Sequence, residues 1–90
     1  MTRHTWAITR LTAHATDDGK PVNSPLTAEQ KKDLVHKFRL KDDGNIYAYG
    51  YCRTNDDELA FSPLDHYGEG MFGCVCIEYW NVEKKQWEVL

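Results

Sequence analysis

An Asp-Gly pair flanked by alternating apolar residues is the strongest short-range hairpin signal, because glycine accepts the positive φ of a tight reversal. Such a pair stands at Asp43-Gly44, inside the stretch 36–53, HKFRLKDDGNIYAYGYCR. With Asp42-Asp43-Gly44 read as a three-residue loop, Lys41 pairs with Asn45, Leu40 with Ile46, Arg39 with Tyr47, Phe38 with Ala48 and Lys37 with Tyr49. Side chains alternate across a strand, so this register predicts a core face of Phe38, Leu40, Ile46 and Ala48. The opposite face is then Lys37, Arg39, Tyr47, Tyr49 and Tyr51. That face has two readings. It is either a solvated surface, with Lys and Arg stems laid across tyrosine rings, or a recognition surface, since tyrosine brings contact area at low entropic cost.

Length limits what can surround this hairpin. Ninety residues suffice for one domain, 1–90, with a single modest core, since a chain of that size buries roughly 60–65 % of its unfolded surface. No apolar run approaches the roughly 20 residues of a membrane span. The opening Met-Thr-Arg-His-Thr-Trp lacks the apolar region of a secretory signal. Three cysteines make an odd count, which argues against a closed disulfide framework and for a reducing, cytoplasmic setting. The net charge of −3 disfavours nucleic-acid or acidic-membrane partners, because such binding rests on neutralising phosphates.

Along the chain, residues 4–14 have the composition of a strand. Trp6 and Ile8 share one parity while Leu11 and Ala13 share the other, so either a bulge near Thr9-Arg10 reconciles them or the strand is flanked on both sides. Residues 15–25 read as loop. Thr27-Ala28-Glu29-Gln30 has the form of a capping box, predicting a short helix with Leu34 and Val35 on its inner face. Residues 54–62 read as a solvated acidic loop containing Asp56, Asp57 and Glu58. The segment 62–70 reads as a compact turn region, from which Leu64, Tyr67, Met71 and Phe72 reach the core edge. Residues 73–81 and 86–90 are the last two strands. A register placing Tyr79 opposite Trp87 or Val89 aligns their apolar sets and leaves Cys74, Cys76, Glu78 and Trp80 on the other face. The assembled expectation is an α+β domain: a four- to five-stranded, mostly antiparallel sheet with one short helix packed on one face.

Reactive chemistries find little support. Cys74-x-Cys76 lies along a strand, whereas zinc knuckles space their cysteines by two to four residues within a turn. The cysteines therefore read as small buried hydrophobes, and no metal or cofactor is expected. Asp65-His66-Tyr67 sets a carboxylate beside an imidazole, but adjacent residues rarely make a triad. Walker A and Gly-x-Gly-x-x-Gly loops do not occur. The paired carboxylates Asp17-Asp18, Asp42-Asp43 and Asp56-Asp57 fall in loops, where charge runs normally mean solvation.

What remains is a binding surface: Tyr47, Tyr49, Tyr51, Arg39 and Trp80 on the back of the sheet. Asp42 and Asp43 cap one end of the second hairpin strand, and Asp56, Asp57 and Glu58 cap the other, about 25 Å away at the strand rise. The expected function is a small non-enzymatic protein-binding module. Its most concrete form is a stand-alone inhibitor or adaptor of the phage or mobile-element kind, acting on a nucleic-acid-processing partner. The alternative is a single-strand nucleic-acid binder using the aromatic face. A symmetric homodimer is a further way to cover such a face.

Overall fold

The 36–53 hairpin lies at the centre of the molecule. The computed structural model describes residues 5–56 and 58–90. Among these, six strands form one antiparallel sheet: β1 (Trp6–Leu11), β2 (Val22–Asn23), β3 (His36–Asp42), β4 (Asn45–Cys52), β5 (Cys76–Asn81) and β6 (Gln86–Val89). Their order is β2-β1-β4-β3-β5-β6, so the hairpin strands β3 and β4 are flanked on both sides. The fold is α+β with an antiparallel sheet. The strand beyond the expected five is β2, two residues within the predicted 15–25 loop that pair with Arg10 and Leu11.

The hairpin turn is tighter than the pattern predicts. Asp43 (φ 53°) and Gly44 (φ 85°) both occupy the left-handed region, as a two-residue reversal between Asp42 and Asn45 demands. The extra residue moves into the strand instead. Leu40 pairs with Ala48 and Lys41 with Ile46, so Tyr47 is a bulge in β4. Beyond it the predicted parity returns, with Phe38 opposite Gly50, Arg39 opposite Tyr49 and Lys37 opposite Tyr51. The bulge corrects the sequence reading at two positions. Ile46 shares its face with Lys41, away from the core, while Tyr47 packs on the core and stacks on Phe72 at 5.6 Å. Thr12 satisfies the bulged backbone: its amide donates to the Tyr47 carbonyl at 2.9 Å, and its hydroxyl reaches the Ile46 and Tyr47 carbonyls.

Of the two readings of the first strand, the structure shows the bulge. Ile8 pairs with Gly50 but Arg10 with Tyr49, so Thr9 is the unpaired residue. Trp6, Ile8 and Leu11 consequently all reach the core.

That core is built on Phe38, Leu40, Ala48, Cys52, Ile77 and Tyr79, all buried. Its cover differs from the expectation. The capping box at Thr27 forms, with the Gln30 amide donating to the Thr27 hydroxyl (3.2 Å) and the Thr27 amide to the Gln30 side chain (2.9 Å). The helix it starts, α1 (Ala28–Asp33), buries none of its own residues; Leu34 behind it is buried as expected, though outside the central core cluster. Val35, expected to face inward, is 61 % exposed.

The segment read as acidic loop and turn provides the cover instead. It coils through a 3-10 turn (Glu58–Phe61), a π-helical turn (Leu64–Gly68) and α2 (Glu69–Phe72). Leu64, Tyr67 and Phe72 pack on the core as expected, whereas Met71 is exposed. The Tyr79 hydroxyl donates to the Ala60 carbonyl at 2.7 Å, and the Cys52 thiol lies 3.7 Å from the Leu59 carbonyl. Two buried strand residues thereby anchor the covering chain.

Candidate functional site

The face of the sheet turned away from these helical turns carries the site. Its floor is the ladder running from β4 across β3 and β5 to β6, with Tyr49 beside Arg39, Arg39 beside Glu78, and Trp80 beside Trp87. Alternation along these strands adds Lys37, Lys41 and Tyr51 to the same side. Arg10, opposite Tyr49 on β1, extends it further.

Arg39 is the hub of this face. Its Nε donates to Glu78 Oε1 at 2.6 Å, and its guanidinium carbon stands 4.3 Å from the centroid of Trp87. Glu78 is 8 % exposed and also lies 3.6 Å from Lys41 Nζ. A carboxylate this buried requires such partners, since an unpaired buried charge is strongly unfavourable. The rings continue the network. Tyr49 and Trp87 lie 6.0 Å apart and tilted by 53°, and Trp80 meets Trp87 edge-on at 5.4 Å. Lys37 Nζ stands 5.7 Å from the Tyr49 ring centre. Four cations on one face (Arg10, Lys37, Arg39, Lys41) thus accompany the buried carboxylate of Glu78, giving a local positive excess on a chain of net charge −3.

Tyr49, Tyr51, Arg39 and Trp80 gather where the sequence placed them. Tyr47 does not, because the bulge turns it into the core. Trp87 was missed. The expected register set Tyr79 opposite Trp87 or Val89, but the structure pairs Tyr79 with Glu88 and Trp80 with Trp87. The cause is the connection 82–85, which closes with Lys85 in the left-handed region (φ 53°) and makes Asn81 face Gln86. A legible signal existed, because an aromatic cross-strand pair, Trp80 with Trp87, was available in the alternative register.

The cysteines divide. Cys52 and Cys74 are buried, and Cys76, opposite Lys41, is half-buried on the site face. Cys74 was expected on that face. It precedes the start of β5 and packs into the core, where burial, with Asp42 adding, pushes its thiol up to about 11. All three are free thiols, and no cluster of metal-binding side chains occurs among the described residues.

The acidic groups sit at the two ends of β4. Asp43 is exposed in the hairpin turn, Asp42 is half-buried at the end of β3, and Asp56 and Glu58 are exposed beyond β4. Asp56 accepts a hydrogen bond from the Thr54 hydroxyl at 2.9 Å. Asp57 lies outside the described residues.

Two hollows open along the site. One, of about 500 Å³, is lined by Arg10, Lys37, Tyr49, Tyr51 and Trp87. The other, of about 520 Å³, is lined by Pro25, Leu26, Leu34 and Val35, with Lys31 at its side. Thr9 and Tyr51 border both. No helix among the described residues is long and apolar enough to cross a membrane.

No protein-family model, curated protein or solved structure matches this chain.

Proposed function

We propose that the protein is a non-enzymatic binding module, a stand-alone inhibitor or adaptor, that engages a protein partner through the back of its sheet. The observation that carries this reading is the ring–cation network of Tyr49, Arg39, Trp87 and Trp80, with neighbouring groups 4.3 to 6.0 Å apart. These side chains already hold one another in place. A partner that meets ordered rings loses less side-chain entropy on docking than one that must order them, and Tyr, Trp and Arg are the residues that most often dominate interface energies.

Charge supports the same reading. Along β4 the surface runs from Asp43 at the turn, across Lys37 and Arg39, to Asp56 and Glu58 beyond the far end. Alternation of sign discriminates between partners and fixes register more than it adds affinity. The acidic ends suit a partner with basic rims, nucleic-acid-processing proteins among them.

The test is affinity capture with wild type and with a Tyr49→Ala/Trp87→Ala variant whose fold is verified by circular dichroism. A partner retained by the wild type and lost by the variant supports the reading. Equal recovery by both defeats it. Sedimentation of the protein alone distinguishes a foreign partner from a second copy.

Single-stranded nucleic acid is the second reading, favoured by Arg10 and Lys37 beside the rings. Against it, the rings tilt into one another at 53° and 64° and do not lie side by side as a flat platform for successive bases. Oligonucleotide titration at two salt concentrations decides it: binding at low salt that weakens as salt rises is required.

A further inference from the structure

The two hollows share Thr9 and Tyr51 as a common wall and differ in chemistry. The first has Arg10 and Lys37 over tyrosine and tryptophan rings. The second is floored by aliphatic side chains and Pro25, and Val35 stands 61 % exposed at it. We propose that they form one composite groove for a short extended peptide segment of the partner. In that segment, acidic residues lie over Arg10 and Lys37, and one aliphatic or aromatic side chain, a few residues away, fills the hollow beside Leu34 and Val35. This deepens, and rests on, the reading of the sheet's back as a protein-binding surface.

Charge complementarity identifies the occupant. Arg39 and Lys41 are committed to Glu78, at 2.6 and 3.6 Å. Arg10 bonds a neutral side chain, with Nη1 donating to Asn23 Oδ1 at 2.9 Å, and Lys37 lies over a ring. Neither of these two has a carboxylate ion-pair partner within the described residues. They are exposed beside half-buried rings, the setting in which an incoming carboxylate gains both a charge and a donor.

A nucleic acid fits this groove less well, because it carries a phosphate at every nucleotide. It would therefore lay charge across the aliphatic hollow, where Lys31 is the one cation among the described lining residues. A peptide can place its charges at one end and its apolar anchor at the other. The acidic groups Asp43, Asp56 and Glu58 lie outside the groove and disfavour an acidic segment anywhere else along β4, which is how unwanted registers are excluded.

The experiment is selection from a displayed library of random dodecapeptides on the intact protein, followed by fluorescence polarisation with the recovered peptides synthesised and labelled. The expected sequences are enriched in Asp and Glu on one side of a Leu, Ile, Phe or Trp. Their affinity falls about tenfold in Arg10→Gln/Lys37→Gln and by a similar factor in Val35→Asp. All these positions are exposed, and melting curves confirm that the variants fold. Recovered peptides without acidic enrichment, or binding indifferent to both variants, overturn the composite groove. If such peptides still lose affinity in Tyr49→Ala/Trp87→Ala, the sheet face stands as a protein-binding surface and only the assigned chemistry is wrong. If they do not, or if no peptide is recovered, both readings fall. Displacement of the bound peptide by oligothymidylate at low salt, with tighter binding of the oligonucleotide, transfers the groove to nucleic acid and likewise overturns the proposal.

Discussion

The ring of Phe38 lies over the α-carbon of Gly50, its partner across the central ladder. A Cβ placed on Gly50 would stand 2.6 Å from Phe38 Cζ, and closer still to the Ala7 carbonyl oxygen on the neighbouring strand. Glycine in a strand often marks such a close approach. Gly50→Ala is therefore expected to cost about 3 kcal/mol, the upper part of the usual overpacking range. Urea denaturation measures this. A midpoint close to wild type would show that β1 and Phe38 can move aside. Phe38→Leu should relieve only part of the loss, because the Ala7 carbonyl remains.

The Arg39–Glu78 pair supports the site from within. Removing the arginine leaves a carboxylate that is 8 % exposed with Lys41 at 3.6 Å as its remaining cation. Arg39→Met is expected to destabilise the fold by about 2 kcal/mol, a value reduced because the pair is not fully buried. Replacing both residues by leucine should recover part of that loss. A double-mutant cycle with no measurable coupling would contradict the structure.

Thiol reactivity should separate the cysteines. Cys76 is half-buried, while Cys52 and Cys74 are buried. One thiol is expected to react with an aromatic disulfide reagent in the native protein, and all three after denaturation, as mass spectrometry of the labelled peptides can show. Alkaline stability follows from Cys74, whose folded value is raised from 9.0 to about 11, first by burial and then by Asp42. Between those values the unfolded chain loses the proton and the folded chain keeps it, so stability falls as the pH rises through this window. Tyr67 is also pushed up by burial, so the Cys74 contribution is read as the part of the slope that Cys74→Ala removes.

On the acid side, Glu88 is the residue to follow. Hydrogen bonds from Asn81 and then Gln86, with Lys84 nearby, hold its carboxyl below the ordinary glutamate range. Its contribution to stability is present above that range and is lost as the pH falls through the folded value. The side-chain carboxyl resonance of Glu88 should titrate below the ordinary glutamate range and move up toward it in Asn81→Ala. An unchanged midpoint in that variant would remove Asn81 as the cause.

The central hairpin, the β1 bulge and the Thr27 capping box were legible because each rests on local rules: turn chemistry, side-chain alternation and an N-cap pattern. What escaped reading depends on distant partners. Whether the extra residue of the hairpin sits in the turn or in the strand depends on Thr12, whose hydroxyl donates to the Ile46 and Tyr47 carbonyls from 34 and 35 positions away. The cover at 58–72 reads as acidic loop and turns because its carboxylates suggest solvation and Pro63, Gly68 and Gly70 interrupt any helical period. Its helical turns are held by packing on Leu40 and Cys74 and by the Tyr79 hydroxyl, which no local pattern announces. Within the site, Tyr49, Tyr51, Arg39 and Trp80 followed from parity. Trp87 required the length and closing conformation of its loop.

Of the two unpaired residues, Thr9 lies opposite the step from Tyr49 to Gly50 in the ladder that β4 shares with β1, and Tyr47 lies just before Ala48 in the ladder β4 shares with β3. Chain length here is consequently a counted quantity. Losing a paired residue such as Ala48 would exchange inside for outside beyond it, whereas losing Tyr47 or Thr9 would leave every remaining pair on its present face and cost the contacts of the bulge, the Tyr47–Phe72 stack among them. Length variation should be tolerated at 17–20, where the residues are exposed, and hardly at all at 82–85, whose length sets the Trp80–Trp87 pairing, or at the paired positions between Ile8 and Thr12 and between Leu40 and Gly50.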